Sequence, residues 1–285
     1  FSINCIYSNG EGDLFDPYNG KKDLENGIVD FIGDKDKRIK EDYLRILRYL
    51  RFFTNYSKQP HNFETIRTLK INIGGISKLS NERLLDELQK ISKVDTLEKL
   101  SKDKIGLDLI TIIFPELKNL KVFSKLNKRN KDLLKEKDFI FLLSLMIIDQ
   151  TDNTDYFLYK YNISKKDQNR LKIIDNFYKD KISLKSFSEK NLNRIFYYKG
   201  KQALIDILSF KIFISKNIDK KILKFIEQFQ FKDLPSMPVD AKFLMEKYQI
   251  IEGKNLGTKL KTIEEEWVNN NFKLSEKQID KILRC

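Results

Sequence analysis

Histidine and cysteine are nearly absent: 285 residues hold one histidine and two cysteines. His61 is followed by Asn62, which leaves no adjacent His-Asp pair and excludes a phosphohydrolase centre of that kind. Cys5 and Cys285 stand at opposite ends, which argues against a disulfide framework and fits a reducing compartment. Neither a cysteine zinc site nor a nucleophile triad is legible. Long apolar runs are lacking too. The longest, Phe139–Ile148 broken only by Ser144, is too short to span a bilayer and reads as a buried helix. No targeting segment, clean repeat or low-complexity linker is visible.

What is abundant is positive charge. Lys plus Arg number 54 against 41 Asp plus Glu, a net +13 with a pI near 9.4. That excess favours a polyanionic partner. Lys, Asn and Ile are frequent everywhere, however, so compositional bias accounts for single clusters such as 125–137 equally well. Phe196-Tyr197-Tyr198-Lys199-Gly200-Lys201 suits either a nucleic-acid surface or a helical core.

Patterning predicts a mainly α fold. Three short strands are expected near 1–7, 13–16 and 28–32, bounded by Asn, Gly and Asp. After Arg38 the period is helical, with breaks at Gly74-Gly75, Pro115, 149–155, Lys199-Gly200, Pro235–Pro238 and Gly253.

One stretch points to chemistry. Glu41-Asp42-Tyr43-Leu44-Arg45-Ile46-Leu47-Arg48-Tyr49-Leu50-Arg51, read as one helix, gathers Arg45, Arg48 and Arg51 with Glu41 on a flank of about 120°. Asp42 sits at its border, one turn before Arg45. Ionised Asp offers only acceptors and Arg only donors. Cytosine and adenine present an amine beside a ring-nitrogen acceptor, whereas uracil and guanine present the reverse. An Asp/Arg pair therefore complements C and A and opposes U and G, at about 1.5–3 kcal/mol per lost charged bond. The same residues also fit an i,i+3 ion pair at the start of an ordinary surface helix.

The preceding segments carry a resemblance. Phe1-Ser2-Ile3-Asn4-Cys5-Ile6-Tyr7, Leu14-Phe15-Asp16-Pro17-Tyr18-Asn19-Gly20 with Asp23-Leu24, Ile28–Gly33 and the run from Arg38 to Phe52 resemble, in order and spacing, the bacterial (class II) tRNA nucleotidyltransferases. That family comprises CCA-adding enzymes and poly(A) polymerases. The resemblance implies that Asp42 and Arg45 read the bases of CTP and ATP, with Glu41, Arg48 and Arg51 at the same nucleotide site. It places Asp16 and Asp23 in the family's flexible loop, although both also fit turn-forming roles around Pro17 and Gly20. Leu79–Leu88 is similar to the family's Ser-x-Glu-Arg-x-x-x-Glu-Leu helix. There Ser80 is expected to cap, and Arg83 to pair with Glu87 as structural support. Gly253–Leu260 with Glu264–Trp267 is similar to the closing motif of alphaproteobacterial-type members. The match is sparsest through about residues 95–235.

The family's metal-binding Asp-x-Asp and the Gly-rich turn before it have no counterpart in this sequence, so the resemblance implies a fragment, inactive alone, whose Mg2+ is bound upstream. Asp34-Lys35-Asp36 aligns instead with the turn before the template helix. Asp149, Asp152 and Asp155 lack the Gly and Glu of a calcium loop. The expected fold is the C-terminal remnant of an α/β nucleotidyltransferase head, residues 1–35, followed by an elongated helical neck at 36–93, body at 94–215 and tail at 216–285. The expected activity is cytoplasmic CCA addition to tRNA, with no membrane partner. The alternatives are a poly(A) polymerase, an A-adding or CC-adding relative, and a non-catalytic basic RNA-binding protein.

Overall fold

The structure, a computed structural model, describes residues 1–179, 184–215 and 219–284. The chain divides into two compact units, 1–171 and 172–285.

The first unit opens with a 3-10 turn at Ser2–Asn4 and a two-stranded antiparallel sheet, β1 (Tyr7–Ser8) with β2 (Leu14–Phe15), in which Tyr7 faces Phe15. Two of the three expected strands thus survive as short pieces. The run 28–32 is not a strand. Gly27, in the left-handed region at φ 66°, closes α1 (Gly20–Asn26), and Ile28 donates back to the Asp23 carbonyl. Phe31 then turns inward, its ring centroid 4.5 Å from that of Phe1 and stacked 6.2 Å from that of Tyr49.

Helices follow: α2 (Lys35–Glu41), α3 (Arg45–Tyr56), α4 (Phe63–Asn72), α5 (Asn81–Ile91), α6 (Val94–Lys102), α7 (Lys104–Ile113), α8 (Lys128–Lys135), α9 (Phe139–Ile147), α10 (Asn153–Lys160) and α11 (Lys165–Lys179). Their starts are written in the sequence. Asp34, Asn62, Ser80 and Asp138 each accept from a backbone N–H three residues on, satisfying donors that a helix start leaves orphaned. The Ile46, Leu47, Leu50 stripe of α3 is buried with Leu69 of α4, Leu88 of α5 and Leu97 of α6. Phe141–Ile147 is buried throughout, as its apolar run required.

The second unit begins within α11, at Lys172, and holds α12 (Glu189–Lys199), α13 (Lys201–Ile214), α14 (Lys220–Gln230), α15 (Ala241–Tyr248), α16 (Lys254–Asn269) and α17 (Glu276–Arg284). Leu192, Phe196, Leu204, Leu208, Ile222 and Phe229 form one core, and Val239, Leu244, Leu256, Ile263 and Ile279 another. Among the described residues, the chain is mainly α with a small strand remnant, and no helix is long and apolar enough to cross a membrane.

Candidate nucleotide-template site

The stretch 41–51 is broken. α2 ends at Glu41, Asp42 is extended at φ −154° and ψ 102°, and α3 begins at Arg45. Local chemistry favours the break, because the Asp42 side chain accepts from the Leu44 N–H at 3.2 Å and its carbonyl accepts from the Arg45 N–H at 3.0 Å. Tertiary packing adds to it. Tyr43 lies so close to Gly75 that a Cβ there would meet the Tyr43 ring at 2.0 Å. One helix carrying both acids and all three arginines is therefore replaced by two helices meeting at Asp42.

The break sorts the charges into two sets. In the first, Glu41 Oε2 accepts from Arg38 at 2.6 Å and from Arg45 at 2.7 Å, while Arg45 also donates to the Arg38 carbonyl. The Arg45 guanidinium, aided by Arg38, holds the Glu41 carboxyl below the usual carboxylate range. In the second, one nitrogen of Arg83 bridges both Asp42 oxygens at 3.0 and 3.1 Å, and Arg48 lies 3.6 Å from Asp42 Oδ2. Glu87, 1% exposed, accepts from Arg51 and lies 3.9 Å from Arg48. The Arg51 guanidinium also covers the Phe52 ring, 4.3 Å from its centroid.

All five residues expected at the template thus share one neighbourhood, but through unexpected partners. Asp42 bonds to Arg83 and Arg45 to Glu41. The expected Arg83–Glu87 pair is replaced by Arg83–Asp42 and Arg51–Glu87. Sequence reasoning left Arg83 and Glu87 outside the site, yet a signal existed. Glu87 shares a helical face with Leu84, Leu88 and Ile91, all buried. A carboxylate on a core-facing stripe requires a cation from elsewhere in the fold.

Asp16 and Asp23 lie apart from this cluster in chain and contacts. Asp16 accepts from the N–H groups of Gly20 and Lys21 at 2.7 and 2.8 Å, a turn role. The Lys21 N–H above all, with those of Gly20 and Tyr18, holds its carboxyl below the usual range against the opposing effect of burial. Asp23 accepts from Ser2 Oγ at 2.6 Å. Asp34 is occupied as a helix cap, and Asp36 bonds to Lys40 and Asn72. Among the described residues, no three or more His, Cys, Asp or Glu side chains are placed to hold a metal ion. The described acidic side chains, engaged as above, do not fit a Mg2+ centre.

The lone histidine finds its partners across the fold. His61 has no adjacent Asp, but the fold brings Asp103 Oδ2 to 2.7 Å from its Nε2 and the Tyr49 hydroxyl to 3.0 Å from its Nδ1. The ring stacks on Phe53 with centroids 3.6 Å apart. Within 125–137, Lys131 pairs with Asp95 and Glu98 and Lys135 with Asp95, so these lysines pin α8 to α6. Phe196 is fully buried and Tyr197 bonds to Glu264, while Tyr198 is exposed. Cys5 is free, and Cys285 lies outside the described residues.

No family model matches the chain. Known proteins do. A CCA tRNA nucleotidyltransferase 1, mitochondrial, of Mus musculus is 30% identical over 287 residues, covering 98% of this chain and 63% of the relative. The Homo sapiens protein of that name is 29% identical with the same coverage. A CCA-adding enzyme of Lactococcus lactis is 25% identical over 96% of this chain and 66% of its own length. The chain therefore spans just under two thirds of these relatives. Among solved structures, the Bacillus stearothermophilus CCA-adding enzyme in complex with CTP superposes with a TM-score of 0.69 at 18% identity, over all of this chain and 72% of that one. The Thermotoga maritima enzyme complexed with tRNA gives 0.61 at 17%, over all of this chain and 71% of its own. At those identities the likeness shows the fold.

Proposed function

We propose that the chain belongs to the family of the CCA-adding tRNA nucleotidyltransferases, which the similar proteins support, and that it is the part of such an enzyme that selects CTP and ATP for addition to the tRNA 3′ end. The observation that carries this reading is Asp42 itself. An acceptor-only group stands at a helix break, anchored on one side by Arg83 and three residues from the donor Arg45.

In this reading Asp42 accepts from the exocyclic amine of C or A, and Arg45 donates to the ring nitrogen beside it. Uracil and guanine bring donor to donor and acceptor to acceptor, leaving charged groups unpaired in a partly dry site. Glu41 keeps Arg45 in place through their 2.7 Å contact. Arg48, 38% exposed, supplies positive charge for the triphosphate, with Arg51 behind it. Asp16 and Asp23 belong to a loop that adjusts as the site passes from CTP to ATP. The Mg2+ of the reaction would be held by residues this chain does not contain, and the cytoplasm is the compartment we assign.

On the family plan, residues 1–35 close the head, 36–93 form the neck, 94–215 the body and 216–285 the tail. The charge of +13 suits the tRNA backbone along the helical part. The test is extension of a tRNA lacking its terminal CCA by the complete protein with Mg2+, CTP and ATP. Addition of C, C and A in that order supports the reading. A run of A residues points to a poly(A) polymerase, and no extension contradicts nucleotidyl transfer.

A further inference from the structure

Asp42 poses a mechanical problem. It lies in the break between α2 and α3, outside the regular hydrogen bonding of both helices. Its carboxylate has four lone-pair directions, about two per oxygen. Arg83 uses one on each oxygen, at 3.0 and 3.1 Å, and the Leu44 N–H uses a second on Oδ1 at 3.2 Å. Arg48 approaches Oδ2 only to 3.6 Å, beyond a hydrogen bond. One direction on Oδ2 is left open.

We propose that Arg83 is a specificity-determining positioning residue, fixing the Asp42 carboxylate so that the open side of Oδ2 faces the amine of an incoming nucleobase. The proposal rests on Asp42 being the base acceptor. Arg83 is well built for the task. Ser80 caps α5 by accepting from the Arg83 N–H, which fixes the backbone from which the guanidinium reaches. The usual i,i+4 competitor is also removed, because Glu87 points inward to Arg51. Arg83 therefore has Asp42 as its ion-pair partner, from a helix separate from α2 and α3. Without it the nearest cation to Asp42 is Arg48, and a carboxylate drawn to Arg48 closes the open side of Oδ2.

Arg83 is 47% exposed, so its truncation opens no core cavity. The experiment measures kcat/KM for CTP, ATP, UTP and GTP in the complete protein carrying Arg83→Ala, Arg83→Lys or Asp42→Ala. Arg83→Ala should lower the CTP-to-UTP and ATP-to-GTP preferences about tenfold. Arg83→Lys should recover part of that loss, because an ammonium keeps the charge but not the two-oxygen geometry. If Arg83→Ala scales all four nucleotides by one factor, or changes none, while Asp42→Ala changes the preferences, Arg83 is structural and the proposal is overturned. If Asp42→Ala also leaves the preferences intact, the base-reading assignment falls, and this proposal with it.

Discussion

Glu87 accepts a hydrogen bond from the guanidinium of Arg51, 36 residues earlier in the chain, and is itself 1% exposed. Arg51→Ala would leave that carboxylate buried with Arg48 and Lys90 no nearer than 3.9 Å. Removing one partner of a buried pair costs about 3–5 kcal/mol. The expected result is a clearly lower denaturation midpoint, read by urea titration, before any effect on nucleotide binding. A variant as stable as the parent would return Arg51 to the nucleotide-site role that the family resemblance implies.

His61 joins α3 to the start of α7 through Tyr49, Phe53 and Asp103. His61→Ala removes a stacked ring and two hydrogen bonds, a loss of about 2–4 kcal/mol. Burial pushes the Asp103 carboxyl up, but His61 and the N–H groups of Gly106 and Ile105 outweigh it and hold it below its ordinary 3.8. A carboxyl depressed by folding contributes stability above its unfolded pKa, and loses it as pH falls through the folded one. Wild type and Asp103→Asn should therefore differ in stability near neutrality and converge below about pH 4. A gap that stays constant into acid would mean that the carboxylate charge is not what matters.

Two neighbouring glycines make a controlled pair. A Cβ on Gly75 would sit 2.0 Å from the Tyr43 ring, whereas one on Gly74 meets nothing within 4 Å. Gly75→Ala must displace the residue next to Asp42, at about 1–3 kcal/mol for an overpacked contact. Gly74→Ala should be close to neutral. Equal thermal melts for the two variants would show that Tyr43 is free to move, and that its packing does not shape the break.

Much of this was legible beforehand. The cap at Ser80, the buried stripe of α3 and the buried run 139–147 follow from residue type and period alone. The break at Asp42 was not, because helical period continues across it, and the local hydrogen bonds of Asp42 are reinforced by Gly75 and Arg83, far along the chain. Strand propensity at 28–32 was overridden by Gly27, which ends α1 and sends Phe31 into the aromatic cluster. At the site, the residue types were readable and their pairings were not. Three arginines and two acids admit several ion-pair arrangements, and Glu87, buried on another helix, decides among them.

The central claim is that Asp42 and Arg45 read the base. The most direct measurement is kcat/KM for CTP, ATP, UTP and GTP in the complete protein with Asp42→Ala and with Arg45→Ala. Each variant should lose preference for CTP and ATP over UTP and GTP, because a discriminating group penalises the wrong partner selectively. Arg48→Ala should instead weaken all four together, since a phosphate contact carries no base information. If Asp42→Ala and Arg45→Ala lower all four by the same factor, Arg45 is only the tether of Glu41 and Asp42 only the anchor of Arg83, and the account is contradicted.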